Sequence, residues 1–185
     1  SWIIPFFLWP RVAVNMPVTN HILLVLYMCQ VVYLSMIYPF SRVNPRPMPF
    51  GVILITWSGE LLNSYMNIVM VMVAREYEVS WLWDPRFIIG LTLYVVGFYI
   101  NTDSDRRLTN LRKPGETDFK IPHGGMFEYV SAANYFGDII KMFGWCVISW
   151  SFPSFSILCV FLSTIFPRGL QYHQWYLKKF PDYPK

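Results

Sequence analysis

The sequence predicts an all-α fold, a polytopic transmembrane helical bundle with about five membrane spans in 185 residues. Only 14% of the residues are charged and 55% are hydrophobic, whereas soluble domains usually carry about 25% charged residues. The apolar residues also lie in blocks rather than in alternating or amphipathic patterns, and such blocks are typical of membrane helices. An ordinary water-soluble domain is therefore excluded.

Five apolar blocks are candidates for spanning helices, each of which needs about 20 residues to cross the hydrocarbon. They cover residues 17–40, 48–74, 87–101, 127–150 and 154–166, and the third and fifth are short. Residues 1–16 are predicted to be an interfacial segment or the tail of another helix. Because the chain opens on Ser1 without a methionine or a signal-peptide pattern, we expect a piece of a longer protein with missing N-terminal spans.

Basic residues are divided unequally between the two sides that five spans would create. Eleven fall on one side (Arg42, Arg46, Arg106, Arg107, Arg112, Lys113, Lys120, Arg168, Lys178, Lys179 and Lys185) and three on the other (Arg11, Arg75 and Arg86). This bias predicts that the loop at 102–126 and the C-terminus are cytoplasmic. It also explains the net charge of +4 better than nucleic-acid binding does, since no basic stripe follows a helix.

Two common chemistries find no support in the sequence. Cys29, Cys146 and Cys159 all lie in apolar stretches without short spacings, so neither a metal site nor a disulfide framework is predicted. The chain contains no G-x-G-x-x-G and no G-x-x-x-x-G-K-[ST] string. A Rossmann domain or a P-loop is therefore excluded.

Polar side chains fall at helical spacing within two of the predicted spans. They are Glu60, Asn63, Ser64 and Asn67 in the second, and Ser131, Asn134, Asp138 and Lys141 in the fourth. A charge in the bilayer costs at least about 2.5 kcal/mol, so each stripe must face a neighbouring helix or a cavity. Interhelical hydrogen bonding explains the second stripe as well as a cavity does. Asp138 and Lys141 could also neutralise each other, but a polar ligand cavity is favoured for the fourth span.

The favoured cavity lies next to the longest charged loop, residues 101–125. Several Arg and Lys residues stand beside Gly124-Gly125, and spare backbone N–H groups in such a turn suit a phosphate-bearing ligand. A positive-inside loop that contacts lipid head groups is the alternative, and from the residues alone it is favoured.

Several strings in the second half resemble the steroid 5α-reductase family. They are Asn101 and Asp105 followed by residues 111–116 (LRKPGE), then 121–137 (IPHGGMFEYVSAANYFG), and finally 175–178 (WYLK) and 180–184 (FPDYP). Residues 38–40 (YPF) and 46–49 (RPMP) add to the resemblance. It implies one integral-membrane reductase domain of the endoplasmic reticulum, with substrate-side helices at 17–101, a cytoplasmic cofactor loop at 102–126, and cofactor-side helices and a tail at 127–185.

The resemblance also implies a cofactor, NADPH, and a set of residues that contact it. These are Asn101, Asp105, Arg112, Lys120, Asn134, Asp138 and Tyr176, together with Tyr172 and Arg46 on less specific matches. Arg112 and Lys120 suit phosphates, whereas Asn134 and Asp138 suit amide or ribose groups. Asn101 could instead cap a helix, and Tyr176 could be an interfacial anchor.

The chain departs from the family pattern on both sides of the implied site. Phe119, Lys120, Asp138 and Lys141-Met142 stand where Tyr, Arg, Glu and Glu-Trp are usual. The family's catalytic Tyr and a nearby Arg align with Val31 and Leu34, and its catalytic Glu would precede Ser1. Tyr33 and Glu60 are therefore the remaining candidates for a catalytic acid.

The activity implied is NADPH-dependent reduction of the C4=C5 bond of a 3-oxo-Δ4-steroid or a similar lipophilic enone within the membrane. Membrane lipid and a steroid-like substrate are the expected partners. Two alternatives stay open: a reductase of another lipid enone, of the enoyl-CoA or polyprenol type, or an inactive relative that binds NADPH or lipid.

Overall fold

The computed structural model describes residues 16–33, 35, 49–111, 120–181 and 183, and this part of the chain is helical without any strand. The α-helices are α1 (Val18–Val32), α2 (Phe50–Val69), α3 (Pro85–Asn110), α4 (Ala133–Ser149) and α5 (Phe152–Lys179). A π-helix (Met70–Ala74) extends α2, and 3₁₀ turns cover Val79–Trp83 and Gly125–Glu128. By length and composition, α3 and α5 are long and apolar enough to cross a membrane. The predicted all-α membrane bundle is confirmed.

Three predicted helix boundaries were wrong. α3 continues through residues 102–110, which were assigned to the cofactor loop, and α5 continues past Phe166 to Lys179. Hydropathy detects only the lipid-facing part of a helix, so it misses polar turns that extend into water. α5 also contains Pro167, and membrane helices tolerate an interior proline. α4 begins at Ala133 rather than at Phe127, because a 3₁₀ turn precedes it.

The N-terminus of α3 is fixed by Asp84. Its carboxylate accepts a hydrogen bond of 2.8 Å from the Arg86 backbone N–H, and Pro85 occupies the first helical turn. These are the usual signals of a helix start. The Arg86 guanidinium pairs with the same carboxylate at 2.8 Å, and these hydrogen bonds lower the pKa of Asp84 to about 2. Asn101 lies well inside α3, so the alternative that it caps a helix was wrong.

The tightest contact in the bundle joins α3 to α4 through four glycines. On each helix two glycines stand seven residues apart, Gly90 and Gly97 on α3, and Gly137 and Gly144 on α4. A Cβ built on Gly137 would lie 2.5 Å from Asn101 N, and one on Gly90 would lie 2.8 Å from Ile148 N. Small residues that let backbones approach are typical of helix contacts in membranes.

α1 lies against the groove between α3 and α4. The Tyr94 hydroxyl on α3 donates to Leu26 O at 3.0 Å, and the rings of Tyr27 and Trp145 are 5.2 Å apart. Leu23 is completely buried in this cluster. The contacts make α1 parallel to α3 and antiparallel to α4, so the C-terminal end of α1 reaches the N-terminal end of α4.

α2 joins the bundle through the C-terminal half of its polar stripe. Trp145 Nε1 donates to Asn67 Oδ1 at 3.0 Å, and the Tyr27 hydroxyl donates to Ser64 Oγ at 3.3 Å. These bonds cross between helices, as one of the two interpretations of this stripe predicted. Glu60, at the N-terminal end of the stripe near the middle of α2, is exposed.

The π-helix at the end of α2 is stabilised by one buried side chain, that of Asn20. Its amide nitrogen donates to Val71 O and to Arg75 O, both at 2.6 Å, while its carbonyl oxygen accepts from Tyr77 N at 2.9 Å. A π-helix leaves backbone groups without their usual partners, and buried backbone groups must be paired. Asn20 pairs three of them.

A tight turn at residues 150–151 connects α4 to α5. α4 ends at Ser149, Trp150 has a φ of 41°, and α5 begins at Phe152. The Ser149 hydroxyl donates to Ser154 Oγ at 2.7 Å across the turn. The turn therefore makes α4 and α5 antiparallel neighbours.

Arginine and aromatic side chains gather at the end of the bundle where α3 begins. The Arg86 guanidinium lies 4.6 Å above the Trp81 ring and 5.1 Å above that of Trp150. Arg75 donates to Trp150 O at 2.6 Å. Arg107, Lys178 and Lys179 lie at the opposite end.

The glycine contact between α3 and α4 predicts that replacing glycine by alanine lowers the stability of the protein at residue 97 but not at residue 59. Gly97→Ala would place a Cβ against Lys141 N and Gly137 O, and overpacking of this kind costs about 1–3 kcal/mol. Gly59→Ala on α2 has no atom within 4 Å of the new Cβ, and alanine favours a helix by about 1 kcal/mol over glycine. Thermal unfolding in detergent should show a lower midpoint for Gly97→Ala only. Equal midpoints for the two variants would contradict this packing.

Candidate functional site

A cluster of polar side chains lies where the C-terminal part of α3 meets the start of α4. Asn101 is buried and its amide donates to Asn134 O at 3.1 Å. The Asn134 amide in turn reaches Asp105 Oδ1 at 3.5 Å, a long hydrogen bond. The Gly97–Gly137 contact forces this proximity, because Asn101 follows Gly97 by one helical turn. Three of the predicted cofactor-binding residues are thus brought together.

Asp138, one turn further along α4, forms an ion pair with Lys141. The distance from Lys141 Nζ to Asp138 Oδ1 is 2.5 Å, and the lysine side chain is 1% exposed against 22% for the aspartate. The mutual neutralisation that the i, i+3 spacing allowed is therefore present. The lysine side chain is thus buried, whereas the aspartate side chain remains partly accessible.

Tyr33 approaches the same cluster from the end of α1. It is buried, its ring lies 5.1 Å from that of Phe98, and it interacts electrostatically with Asp105 and Asp138. The Thr102 hydroxyl is close to the Tyr33 phenol. That hydroxyl is buried, and no partner in hydrogen-bonding geometry is found for it in the described part of the chain.

Aromatic residues of α5 flank the cluster at the same end of the bundle. Tyr172 on α5 contacts Tyr135 on α4, with ring centroids 5.8 Å apart. The buried Tyr176 stacks on Tyr183 at 5.0 Å and 14°. Tyr176 therefore belongs to an aromatic stack at the C-terminal end of α5. The match to the family motif indicated Tyr176 but not this stack.

The Gly124-Gly125 turn is fixed against α3. Both glycines have positive φ, 86° and 58°, and a Cβ on Gly125 would lie 3.0 Å from Asp103 Oδ2. Asp103 is paired with Arg107 at 2.6 Å. The expectation of spare backbone N–H groups was wrong for Gly124, because its N–H donates to Glu128 Oε1 at 2.6 Å. The Gly124 N–H is therefore already hydrogen-bonded to a carboxylate of the protein.

Of the other predicted site residues, Glu60 and Lys120 are exposed, and two lie outside the described part of the chain. Glu60 is exposed on α2, where Asn63 is its hydrogen-bonding neighbour. Lys120 is exposed at the start of the segment that leads to the Gly-Gly turn. Arg46 and Arg112 lie outside the described residues, as do Leu34 and Phe119.

Two polar residues near the cluster were missed from the sequence. Thr102 was assigned to the loop, although it lies on α3 beside Asn101. Gln30 is buried on α1 and its amide donates to Met142 Sδ at 3.4 Å. For Gln30, the sequence offered one signal, which was an amide within an apolar block. Such a group needs a hydrogen-bonding partner inside the membrane.

A comparison with protein-family models identifies the chain. The model described as 3-oxo-5-alpha-steroid 4-dehydrogenase matches residues 46–185. The chain belongs to the 3-oxo-5-alpha-steroid 4-dehydrogenase family. The predicted resemblance is therefore confirmed, and the match includes all of α2 to α5.

Curated members of the family are similar over most of this chain. The relative named 3-oxo-5-alpha-steroid 4-dehydrogenase 1 of Bos taurus is 40% identical over 166 residues, which are 90% of this chain and 65% of that protein. The Homo sapiens protein of the same name is 40% identical, with coverages of 90% and 64%. Steroid 5-alpha-reductase DET2 of Gossypium hirsutum is 37% identical, with coverages of 82% and 61%. The chain thus spans less than two thirds of the length of these relatives.

The polar cluster of this 3-oxo-5-alpha-steroid 4-dehydrogenase family member suits a neutral polar ligand group better than a phosphate. Asn101, Thr102 and Asn134 offer amide and hydroxyl groups, whereas Asp105 and Asp138 would repel an anion. A carboxamide or a ribose can bond to carboxylates, amides and the Thr102 hydroxyl alike. These residues could therefore hold a neutral polar group such as a carboxamide or a ribose, and a phosphate would need the basic residues outside the cluster.

The Asp138–Lys141 ion pair predicts a non-additive mutation cycle. Lys141→Met removes the buried cation and leaves Asp138 uncompensated, and breaking a buried pair in this way costs about 3 kcal/mol. The double variant Asp138→Asn, Lys141→Met leaves no unpaired charge, so it should unfold at a higher temperature than Lys141→Met alone. Additive losses in the four-member cycle would show that the two side chains do not interact.

Proposed function

We propose that this chain belongs to an NADPH-dependent reductase that saturates the C4=C5 bond of a 3-oxo-Δ4-steroid or a similar lipophilic enone. The observation that carries the proposal is the cluster of Asn101, Asp105, Asn134 and Asp138 within a helical membrane bundle. The names of the similar curated proteins support a steroid as the substrate. The protein would thus be an oxidoreductase that acts on CH–CH bonds.

Each residue of the cluster has a distinct task in this proposal. Asn101 and Asn134 hold the nicotinamide carboxamide, and Asp138, oriented by its ion pair with Lys141, accepts a hydrogen bond from an amide or ribose donor. Asp105 and Thr102 complete the ribose contacts. Lys120, Arg112 and Arg46 are the candidates for the phosphates, and Tyr172 and Tyr176 border the site from α5. Bound NADPH supplies the hydride and its two electrons, while water supplies the proton that completes the reduction.

Tyr33 is the better of the two candidate acids. It is buried between α1, α3 and α4 and lies in range of Asp105 and Asp138, whereas Glu60 is exposed on α2. A phenol that remains protonated can donate a hydrogen bond to the enone oxygen, where negative charge develops as hydride reaches the β-carbon. Tyr33 would take this task in place of a tyrosine at residue 31.

The proposed setting is the endoplasmic reticulum membrane, with the polar cluster at the cytoplasmic end. Arg107, Lys178 and Lys179 lie at that end, and only Arg75 and Arg86 of the described basic residues lie at the other. The positive-inside bias supports this orientation. A lipophilic substrate would enter from the surrounding lipid.

Two substitutions keep other functions open. Val31 and Leu34 are apolar where a tyrosine and an arginine are usual in the family, and this difference favours a different lipid enone, of the enoyl-CoA or polyprenol type. It also favours an inactive NADPH-binding relative. The first alternative is tested by comparing the turnover of a panel of steroids with the turnover of enoyl-CoA and polyprenol substrates. NADPH binding without turnover of any of these substrates would support the second.

The assignment of the cofactor predicts different effects for two asparagines of α3. Asn101→Ala removes a buried amide from the cluster and should weaken NADPH binding about tenfold, because one buried hydrogen bond is worth about 1–1.5 kcal/mol. Asn110→Ala is the matched control, since Asn110 is exposed at the end of the same helix. NADPH binding is measured by fluorescence, and reduction by transfer of deuterium from labelled NADPH to a Δ4-3-ketosteroid. Equal affinities of the two variants would overturn the cofactor site, and wild-type protein that binds no NADPH would overturn the proposed function.

A further inference from the structure

The loop between the π-helix and α3 lines a small cavity to which the proposed function gives no role. The cavity has a volume of about 190 Å³, and its lining residues are Arg75, Glu76, Tyr77, Glu78, Ser80 and Trp81. Pockets for drug-sized ligands begin at roughly 300 Å³. The cavity is therefore too small for a steroid or a dinucleotide, whereas a small polar group fits.

The backbone of this loop is anchored by buried side chains of α1. Asn20 pairs with the Arg75 carbonyl oxygen at 2.6 Å and with the Tyr77 N–H at 2.9 Å. Its neighbour Thr19 donates to the carbonyl oxygen of Glu78 at 3.1 Å. Two aromatic side chains of the loop also donate to carbonyl groups at the end of α4. These bonds fix the points from which the charged side chains of the loop extend.

The charged side chains of the cavity do not neutralise one another. In the described part of the chain, Arg75, Glu76 and Glu78 form no ion pair, although all three line the same cavity. The Glu78 carboxylate is oriented by Ser80, whose hydroxyl donates to Glu78 Oε2 at 3.0 Å. The cavity therefore presents a guanidinium and an oriented carboxylate that lie beyond ion-pair distance of each other.

Opposite charges that are held apart suit a ligand that is itself a zwitterion. A guanidinium binds a phosphate through paired N–H donors, and a carboxylate accepts hydrogen bonds from an ammonium group. A phosphate ester that also carries an ammonium group matches both. A phosphate ester without the ammonium group would be repelled by the two carboxylates.

The aromatic rings beside the cavity distinguish a primary from a quaternary ammonium group. The Arg75 guanidinium lies 4.7 Å from the centre of the Tyr77 ring. The guanidinium groups of Arg75 and Arg86 lie 5.6 Å and 4.6 Å from the centre of the Trp81 ring. A quaternary ammonium group is recognised by aromatic faces, and these rings already bind guanidinium groups. The carboxylates are left as the partners for a cation, which favours an ethanolamine ammonium, with its N–H donors, over choline.

The cavity lies where lipid head groups are expected. α3 begins at Pro85 and α5 begins at Phe152, both at this end of the bundle, and both helices are long and apolar enough to cross a membrane. Trp83 and Trp150, next to these helix starts, are 80% and 51% exposed. Tryptophan is enriched at the interface between membrane and water. A zwitterionic head group of the surrounding lipid would therefore lie at the level of the cavity.

We infer that the loop at residues 75–81 binds the head group of phosphatidylethanolamine, with Arg75 at the phosphate and Glu78 at the ammonium group. This lipid site is at the opposite end of the bundle from the polar cluster. It requires the membrane bundle but does not depend on the proposed reductase activity.

The affinities of three lipids, measured by native mass spectrometry on the purified protein in detergent, test the inference. The probes are phosphatidylethanolamine, phosphatidylcholine and phosphatidylglycerol with identical acyl chains. Wild type should bind the ethanolamine lipid about tenfold more tightly than the other two, as expected for one hydrogen bond between charged groups. Glu78→Gln keeps the size of the side chain and removes its charge, so it should abolish this preference.

Glu128→Gln is the matched control, because Glu128 is an exposed carboxylate at the opposite end of the bundle. Its lipid preference should equal that of wild type. Arg75→Gln removes the cation at the phosphate and should weaken the binding of all three lipids. If Arg75→Gln lowers the yield of folded protein, Arg75→Lys is the second test. A lysine keeps the charge without the paired donors, so binding should weaken while the order of the three lipids stays the same.

Three outcomes would overturn the inference. They are equal affinities of wild type for the ethanolamine and choline lipids, a preference that persists in Glu78→Gln, and a preference that is lost equally in Glu128→Gln. Glycerophosphoethanolamine, the head group without acyl chains, distinguishes a lipid from a soluble ligand. If it binds as tightly as the lipid, the lipid site is also overturned. Enone reduction by wild type is measured separately, so the failure of this inference leaves the proposed function intact.

Discussion

The close approach of α3 and α4 is the constraint on which the rest of this structure depends. In lipid, helices gain little from burying apolar surface against each other, so contact between backbones must supply the attraction. Gly90 and Gly97 face Gly144 and Gly137, and a methyl group at any of them would meet backbone atoms of the other helix. These four glycines fix the register of α3 against α4. That register determines which residues of the two helices meet at their ends.

That register explains why a polar cluster can exist at the edge of an apolar bundle. One turn beyond Gly97 lies Asn101, and one turn before Gly137 lies Ala133, beside Asn134. The two asparagines therefore meet, and Asp105 and Asp138 flank them. Lys141 is buried on the inner side, where it compensates Asp138. The same contact leaves a groove along α3 and α4, and α1 lies in it with Tyr33 at the cluster and Gln30 one turn deeper.

Part of this arrangement could be predicted from the sequence. The low fraction of charge and the apolar blocks predicted the membrane bundle, and the i, i+3, i+7 spacing placed Asn134, Asp138 and Lys141 on one face. The length of α3 could not be predicted from hydropathy, because its last turns are polar and are held by pairs such as Asp103–Arg107. Which helix each polar stripe faces also depends on the register in which two helices pack. The periodicity of a single helix carries no information about that register. Gln30 was missed for the same reason, since its hydrogen bond to Met142 depends on how α1 packs against α4 rather than on its neighbours in sequence.

The most direct test is a structure of the protein with NADPH bound. Density for the nicotinamide ring is expected between the C-terminal part of α3 and the N-terminal turn of α4, with its carboxamide within hydrogen-bonding distance of Asn101 or Asn134. The phosphates are expected to lie away from Asp105 and Asp138. Nicotinamide density elsewhere, with the cluster between α3 and α4 still closed upon itself, would contradict the account.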